Sequence, residues 1–172
     1  MNFLHRDAND ALLACVPRLR RYARALVGER AAADDLVQDT VERGWAQLAS
    51  WRRGSDMRAW LFSIMHNLRI DQLRRGALVT TMLDDEADMA AVPERGAIGL
   101  ELRDMDAALR LLPETQRAVL LLVALEEMRY DDVAQALGIP LGTVMSRLAR
   151  ARASLRILMD GGAAVPPLKV VK

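Results

Sequence analysis

Side chains able to do recognition chemistry gather near the C-terminal end. Thr143, Ser146, Arg147, Arg150 and Ser154, with Arg152 and Arg156 close behind, place hydroxyl and guanidinium groups on the outer faces of one helical pattern. Such donors grip phosphate oxygens and the acceptor-rich edge of guanine, so the chemistry on offer is nucleic-acid recognition rather than bond making, the other reading being an ordinary helical hairpin with a solvated arginine face. The same stretch is apolar along Val144, Leu148, Ala151, Leu155 and Leu158, at spacings of four, three, four and three, which predicts one buried stripe. A second group lies in Ser-Trp-Arg-Arg-Gly-Ser at 50–55, where Trp51 stands beside Arg52 and Arg53. An aromatic with cations in a connector suits an unstacked base and its phosphates, or else a tryptophan folded back onto its own bundle. A third group, Asp35, Gln38, Asp39 and Glu42, shares one outer helix face, which taken alone reads as a solvated acidic face close to a helix N-terminus.

Helices must position all three groups. Residues 130–158 read as a short helix, a tight turn and a longer basic helix. Asp131 and Asp132 suit the positive end of the first helix dipole, and Val133, Ala134 and Leu137 supply an apolar face. Gly138 is suited to the position just past the helix end, where φ is positive, and Pro140 to the start of the next helix. This is the pattern of a helix-turn-helix, with one side of the second helix fixed to its own domain and the other free for the major groove. Upstream, Leu12, Val16, Leu19, Tyr22, Ala23 and Leu26 predict a helix over 10–27, ended by Gly28, with Pro17 starting a new helix or kinking this one. Leu36, Val37, Thr40, Val41, Gly44 and Leu48 face inward from a helix over 31–49, with Trp45 beside them. A third helix over 56–75 has Trp60, Leu61, Ile64, Met65 and Leu68 as core and Ser63, Asn67, Asp71 and Arg74 as its polar side. Helices over 101–112 and 113–125 lead into the helix-turn-helix.

The chain of 172 residues is long enough for one domain or two small ones, and its 52% hydrophobic and 27% charged composition is that of a soluble globular protein. Leu, Ala and Arg dominate and strand-like alternation is nearly absent, so the expected fold is all-α. The net charge of +1 conceals a division: residues 1–76 hold thirteen arginines against nine acids, residues 77–100 one arginine against five acids, and the remainder ten basic against nine acidic side chains. With Gly76, Pro93, Gly96 and Gly99 in the acidic part, this predicts two modules at 1–76 and 101–160, a flexible acidic linker at 77–100 and a frayed tail at 161–172. The longest apolar run, Ala118 to Leu125, is eight residues, too short for the ~20 that span a bilayer. The N-terminus lacks the apolar core of a signal peptide. Cys15 is the sole cysteine, so no intramolecular disulfide forms, in keeping with a reducing cytoplasm, and it reads as a core residue. His5 and His66 have no partners at zinc-ligand spacing; Asp84, Asp85 and Asp88 lack the loop glycine of a calcium loop; no phosphate loop or nucleophile elbow occurs. Neither a metal, a cofactor nor an enzymatic role is expected.

Four stretches in order then carry a resemblance: Ala-Asp-Asp-Leu-Val-Gln-Asp-Thr-Val at 33–41, Ala-Trp-Leu-Phe-Ser-Ile-Met-His-Asn at 59–67, Leu-Pro-Glu-Thr-Gln-Arg at 112–117, and Gly-Thr-Val-Met-Ser-Arg-Leu-Ala-Arg-Ala-Arg at 142–152. Together they resemble bacterial extracytoplasmic-function (ECF, group 4) sigma factors of RNA polymerase, over about residues 9–159. The resemblance implies a sigma-2-like helical bundle that binds core polymerase and opens the −10 element, and a sigma-4-like helix-turn-helix that reads the −35 element. It implies that Asp35, Gln38 and Asp39 meet the basic clamp helices of polymerase, with the flap as a second polymerase contact. Trp51, Arg52, Arg53 and Ser55, with Asn67, would hold flipped bases of the −10 strand. Thr143, Met145, Ser146, Arg147, Ala149 and Arg150 match the −35 contact positions, Arg150 being the candidate for bidentate guanine readout; Met145 departs from the Lys or Arg frequent there. The partners implied are core RNA polymerase, promoter DNA and an anti-sigma factor, with no membrane insertion. Free of partners, the two domains are expected to pack weakly or to be clamped by the anti-sigma factor. A one-component helix-turn-helix regulator is the alternative, although residues 1–100 offer no ligand or phosphoacceptor domain; a helical adaptor that binds only protein is another.

Overall fold

Helix formers run through the chain in amphipathic blocks, and glycine, proline and short polar caps divide them. The computed structural model describes residues 3–52, 54–83 and 100–159, all helix and short connection. The order is α1 (Phe3–Val27), α2 (Arg30–Ala46), a 3-10 turn (Leu48–Ser50), α3 (Met57–Leu83), α4 (Leu100–Leu111), α5 (Glu114–Ala124), α6 (Tyr130–Leu137) and α7 (Leu141–Met159). The expected frayed tail, most of the expected linker with Asp84, Asp85 and Asp88, and Arg53 lie outside the described residues.

The first three helices pack side by side. Leu12, Leu19, Tyr22, Ala23 and Leu26 of α1, Leu36 and Val37 of α2, and Leu61, Phe62, Ile64 and Met65 of α3 are buried together. The Tyr22 and Phe62 rings meet edge to face with centroids 5.0 Å apart. Phe62 lies outside the expected stripe, because α3 is covered on two sides and buries a wider arc than one periodic row. Gly44 lets α2 approach closely: a Cβ there would stand 2.8 Å from Leu61 Cδ2. Trp45 is exposed on the flank and donates from Nε1 to Asn9 Oδ1 at 3.1 Å.

Helix ends follow local chemistry. Gly28 takes φ +82 and ends α1. Glu29 caps α2 by accepting from the Ala31 and Ala32 backbone N–H groups at 2.7 and 2.6 Å, and these bonds hold its carboxyl below the usual carboxylate range. Three expectations about boundaries are corrected. Pro17 neither breaks α1 nor starts a second helix: it and Leu13, whose carbonyl loses the usual donor, are both exposed, so water is at hand for the orphaned group. Helix α2 stops at Ala46 and the 3-10 turn follows. Helix α3 continues past Gly76 to Leu83, taking in residues expected in the linker; one helical glycine costs only about 1 kcal/mol, which neighbouring helix formers offset.

The second half is the helix-turn-helix on its support. Val119, Leu121 and Leu122 of α5, Val133, Ala136 and Leu137 of α6, and Val144, Leu148 and Ala151 of α7 are buried. The expected α7 stripe thins towards its end, where Leu155 is half-buried and Leu158 exposed. Gly138 closes α6 at φ +62, and the Ile139 backbone N–H donates to Ala134 O at 3.0 Å, as a left-handed cap requires. Arg117 is buried within apolar α5 and donates to Leu109 O and Arg110 O at 3.3 and 3.2 Å, bolting α5 to the carbonyl end of α4. Burial is the main influence pulling its guanidinium below its usual range.

The two halves pack against one another. Helix α1 packs on α5 and α3 on α6, and buried apolar side chains of both halves belong to one continuous core. Polar contacts close the same seam. Arg69 donates from Nε and Nη2 to both Glu114 oxygens at 2.8 and 2.9 Å, Arg110 donates to Gly28 O at 3.1 Å, and Glu126 is enclosed by arginines of α1. Such pairs join residues far apart in the chain, so no local periodicity announces them.

Candidate nucleic-acid interface

Helix α7 is held on one side and open on the other. Val144, Leu148 and Ala151 fix it to α5 and α6. Met145, Ala149 and Arg150 are exposed on its outward side, while Thr143, Ser146 and Arg147 are half-buried along the margin. Ser146 Oγ donates to Thr143 O at 3.1 Å, so that hydroxyl is oriented along its own helix and retains acceptor capacity. Arg150 has the clearest freedom to reach a groove. Met145, 53% exposed, offers an apolar surface and no charge at the equivalent reach. The Arg147 charge acts electrostatically on His66 of α3. Burial first, then Arg147, lower the His66 pKa, with Glu114 opposing.

The second candidate surface is the entry to α3. Ser55 turns the chain, its backbone N–H and Oγ donating to Arg52 O at 3.1 and 2.6 Å, and Gly54 takes φ +85. Asp56 opens the helix, accepting from the Arg58 backbone N–H at 2.8 Å and pairing with its guanidinium at 3.2 Å. Arg52 and Ser55 are exposed, as is Asn67 further along. Asn67 stands ten residues past Met57, about 15 Å along the axis. Trp51 is half-buried and packs against the apolar core, with its Nε1 buried and without a hydrogen-bond partner. Of the two roles considered for this tryptophan, the structure displays the packed one.

The acidic face of α2 is as read from spacing. Asp35, Gln38, Asp39 and Glu42 are all exposed, and Gln38 Nε2 donates to Glu42 Oε1 at 3.0 Å. Thr40, on the opposite side, is buried and returns its hydroxyl to Leu36 O at 2.6 Å. This face belongs to α2, and the other two candidate surfaces belong to the entry of α3 and the outward side of α7. Sequence reasoning missed the charged groups between the halves: Arg21, Arg58, Arg69, Glu114 and Glu126. The signal available was a charge among apolar neighbours, as at Arg117 and Glu126, since a buried charge demands a partner. Cys15, expected in the core, is half-buried at its margin, with its thiol pKa raised mainly by burial. No described helix is long and apolar enough to cross a membrane.

Two family models match the chain. Residues 12–66 match the family model described as the Sigma2 domain of PhyR, and residues 102–155 match Sigma-70, region 4. The chain is 39% identical over 151 residues to the ECF RNA polymerase sigma factor EcfG of Rhodopseudomonas palustris, covering 87% of this chain and 83% of that protein. Among solved structures it is similar to the sigma factor RpoE of Bartonella quintana, seen in complex with the anti-sigma factor NepR, at 35% identity and a TM-score of 0.76, covering 90% of this chain and 98% of that one. It is also similar to CnrH, seen with the cytosolic domain of CnrY, at 28% identity and a TM-score of 0.66, covering 91% and 89%.

Proposed function

The chain belongs to the ECF RNA polymerase sigma factors, and on that premise we propose that it works as a group 4 member, bringing core RNA polymerase to specific promoters in the cytoplasm and helping to open the −10 element. It makes and breaks no covalent bonds in this reading; polymerase does the chemistry. The N-terminal domain docks through Asp35, Gln38 and Asp39, whose exposed acidic face suits the basic clamp helices. Arg52, Arg53, Ser55 and Asn67 line the path of the −10 strand. Trp51 takes part by stacking only after leaving the core margin, and its unpartnered Nε1 lowers the cost of that departure. The C-terminal domain, about residues 101–160, reads the −35 element with Arg150 as the principal base contact, Ser146 beside it and Thr143 and Arg147 towards phosphates, while Met145 and Ala149 offer apolar contact to a thymine methyl.

The observation that carries this reading is the coexistence, on one chain, of an exposed recognition face on α7 and a separate exposed acidic face on α2. A DNA-binding regulator needs the first alone, whereas a sigma factor needs both. Binding of the relative RpoE to the anti-sigma factor NepR supports regulation of this chain by an anti-sigma factor as well. Transcription with purified core polymerase on genomic fragments is the test. The full chain should produce discrete start sites that core polymerase alone does not, and protection of duplex DNA by the chain as a dimer without polymerase would overturn the proposal.

A further inference from the structure

The outward side of α7 carries an apolar row. Leu141, Met145, Ala149, Ala153 and Ile157 follow one another at spacings of four, and all five are exposed. Val144, Leu148 and Ala151 anchor the helix on its other side, so the row is left to solvent. Four of its members are plain hydrocarbons. Met145 alone offers an atom open to mild oxidation, the thioether sulfur.

That side chain is open to approach. Long helical side chains lean towards the N-terminus of their helix, so Met145 extends over Leu141 and Gly142. Gly142 has no side chain, and a Cβ there would meet nothing within 4 Å. Ala149, one turn onward, offers only a methyl. Met145 is 53% exposed, against 36% for Met105 and 38% for Met159, while Met57, Met65 and Met128 are buried. Cys15, the sole cysteine, is a poor competitor for oxidant: it is half-buried, and burial raises its thiol pKa away from the reactive thiolate.

We propose that Met145 is a modification site, where oxidation by a hydroperoxide to the sulfoxide weakens reading of the −35 element. The step balances on named atoms. Sulfur attacks one peroxide oxygen, the O–O bond breaks as the S–O bond forms, sulfur gives up two electrons, and the other oxygen leaves as water or, from an organic peroxide, as an alcohol. The consequence rests on the reading of α7 in the previous subsection. A thymine methyl has no hydrogen to donate, so a sulfoxide oxygen pressed against it loses its water and gains no partner. Leaving such an acceptor unsatisfied should weaken the contact by about 5- to 150-fold.

The test uses the full chain in a Cys15→Ala background, treated with hydrogen peroxide and then freed of it. Oxidised positions are mapped by peptide mass spectrometry, and each variant is compared with its own untreated sample. Met145 should gain oxygen before Met57, Met65 and Met128. Run-off transcription with core polymerase from a −35-dependent promoter should fall by about fivefold or more, while binding to immobilised core polymerase is unchanged. Treatment should take almost nothing from a Met145→Leu chain, and should take as much from a chain carrying Met105→Leu and Met159→Leu as from the parent. Methionine sulfoxide reductase with a dithiol should return the lost activity. A Met145→Leu chain that loses as much as its parent overturns the proposal, as does complete oxidation of Met145 with transcription intact, or oxidation of the buried methionines first. If Met145 oxidises first but the untreated chain initiates no transcription with core polymerase, the oxidation site stands and the promoter reading falls.

Discussion

Arg69 and Glu114 allow a measured value for one contact across the seam. Both side chains are mostly covered, at 19% and 24% exposure, and the geometry is bidentate at 2.8 and 2.9 Å. An exposed ion pair contributes about 0.2–1 kcal/mol and a hydrogen bond to a charged group about 1.5–3, so a pair retaining this much water should couple by about 1–2 kcal/mol. The two single substitutions should be unequal. Without Arg69, Glu114 still has Arg117 Nη2 at 3.9 Å. Without the Glu114 charge, Arg69 loses its partner and the buried Arg117, whose Nε has no hydrogen-bond partner, loses its counterion. Glu114→Gln should therefore cost more than Arg69→Met. A double-mutant cycle read by urea unfolding of the full chain, followed by fluorescence and circular dichroism together, gives the coupling. Coupling below about 0.3 kcal/mol, within the additivity expected of independent sites, would refute the reasoning. So would an Arg69→Met variant less stable than Glu114→Gln.

The other expectations concern single residues. Arg150→Ala should lower run-off transcription from a −35-dependent promoter by about 5- to 150-fold, the equivalent of ~1–3 kcal/mol, with unchanged thermal stability because the side chain is exposed. Asp39→Arg should weaken binding to immobilised core polymerase by about tenfold or more and leave the melting temperature alone. His66 is held below its usual range, so as pH falls the unfolded chain takes up its proton first; its contribution is full above about pH 6.5 and is lost on acidification below that, and melts between about pH 7.5 and 5.5 should be flatter for His66→Gln. Gly44→Ala places a Cβ 2.8 Å from Leu61 Cδ2 and 3.4 Å from Leu12 Cδ1, both fully buried, so overpacking of about 1–3 kcal/mol should outweigh the ~1 kcal/mol gain in helix propensity and lower the melting temperature.

Local information was enough for the helices and for the faces they present. Period, caps and glycines place α6, Gly138 and α7 where spacing predicts them, because each depends on residues within four or five positions. The outward side of α7 and the acidic side of α2 were legible for the same reason: exposure there is the complement of a periodic buried stripe. The packing of Trp51 was not legible locally, since its spacing serves a stacking residue and a packed one equally well, and its place against the core is set by distant neighbours. The reach of α3 to Leu83 and the survival of α1 through Pro17 depended on solvent and neighbours rather than on propensity.

By itself, then, the order of residues determined an all-helical chain, a helix-turn-helix with an arginine-bearing outer face and a separate acidic surface, all consequences of interactions between near neighbours along the chain. Tertiary structure alone decided that the two halves close on one another and that Glu126 lies wholly buried against Arg21 and Arg18. A partner about a hundred residues away leaves no periodic trace, and whether a charge is buried depends on which surfaces meet, a property of the folded chain and not of any segment of it.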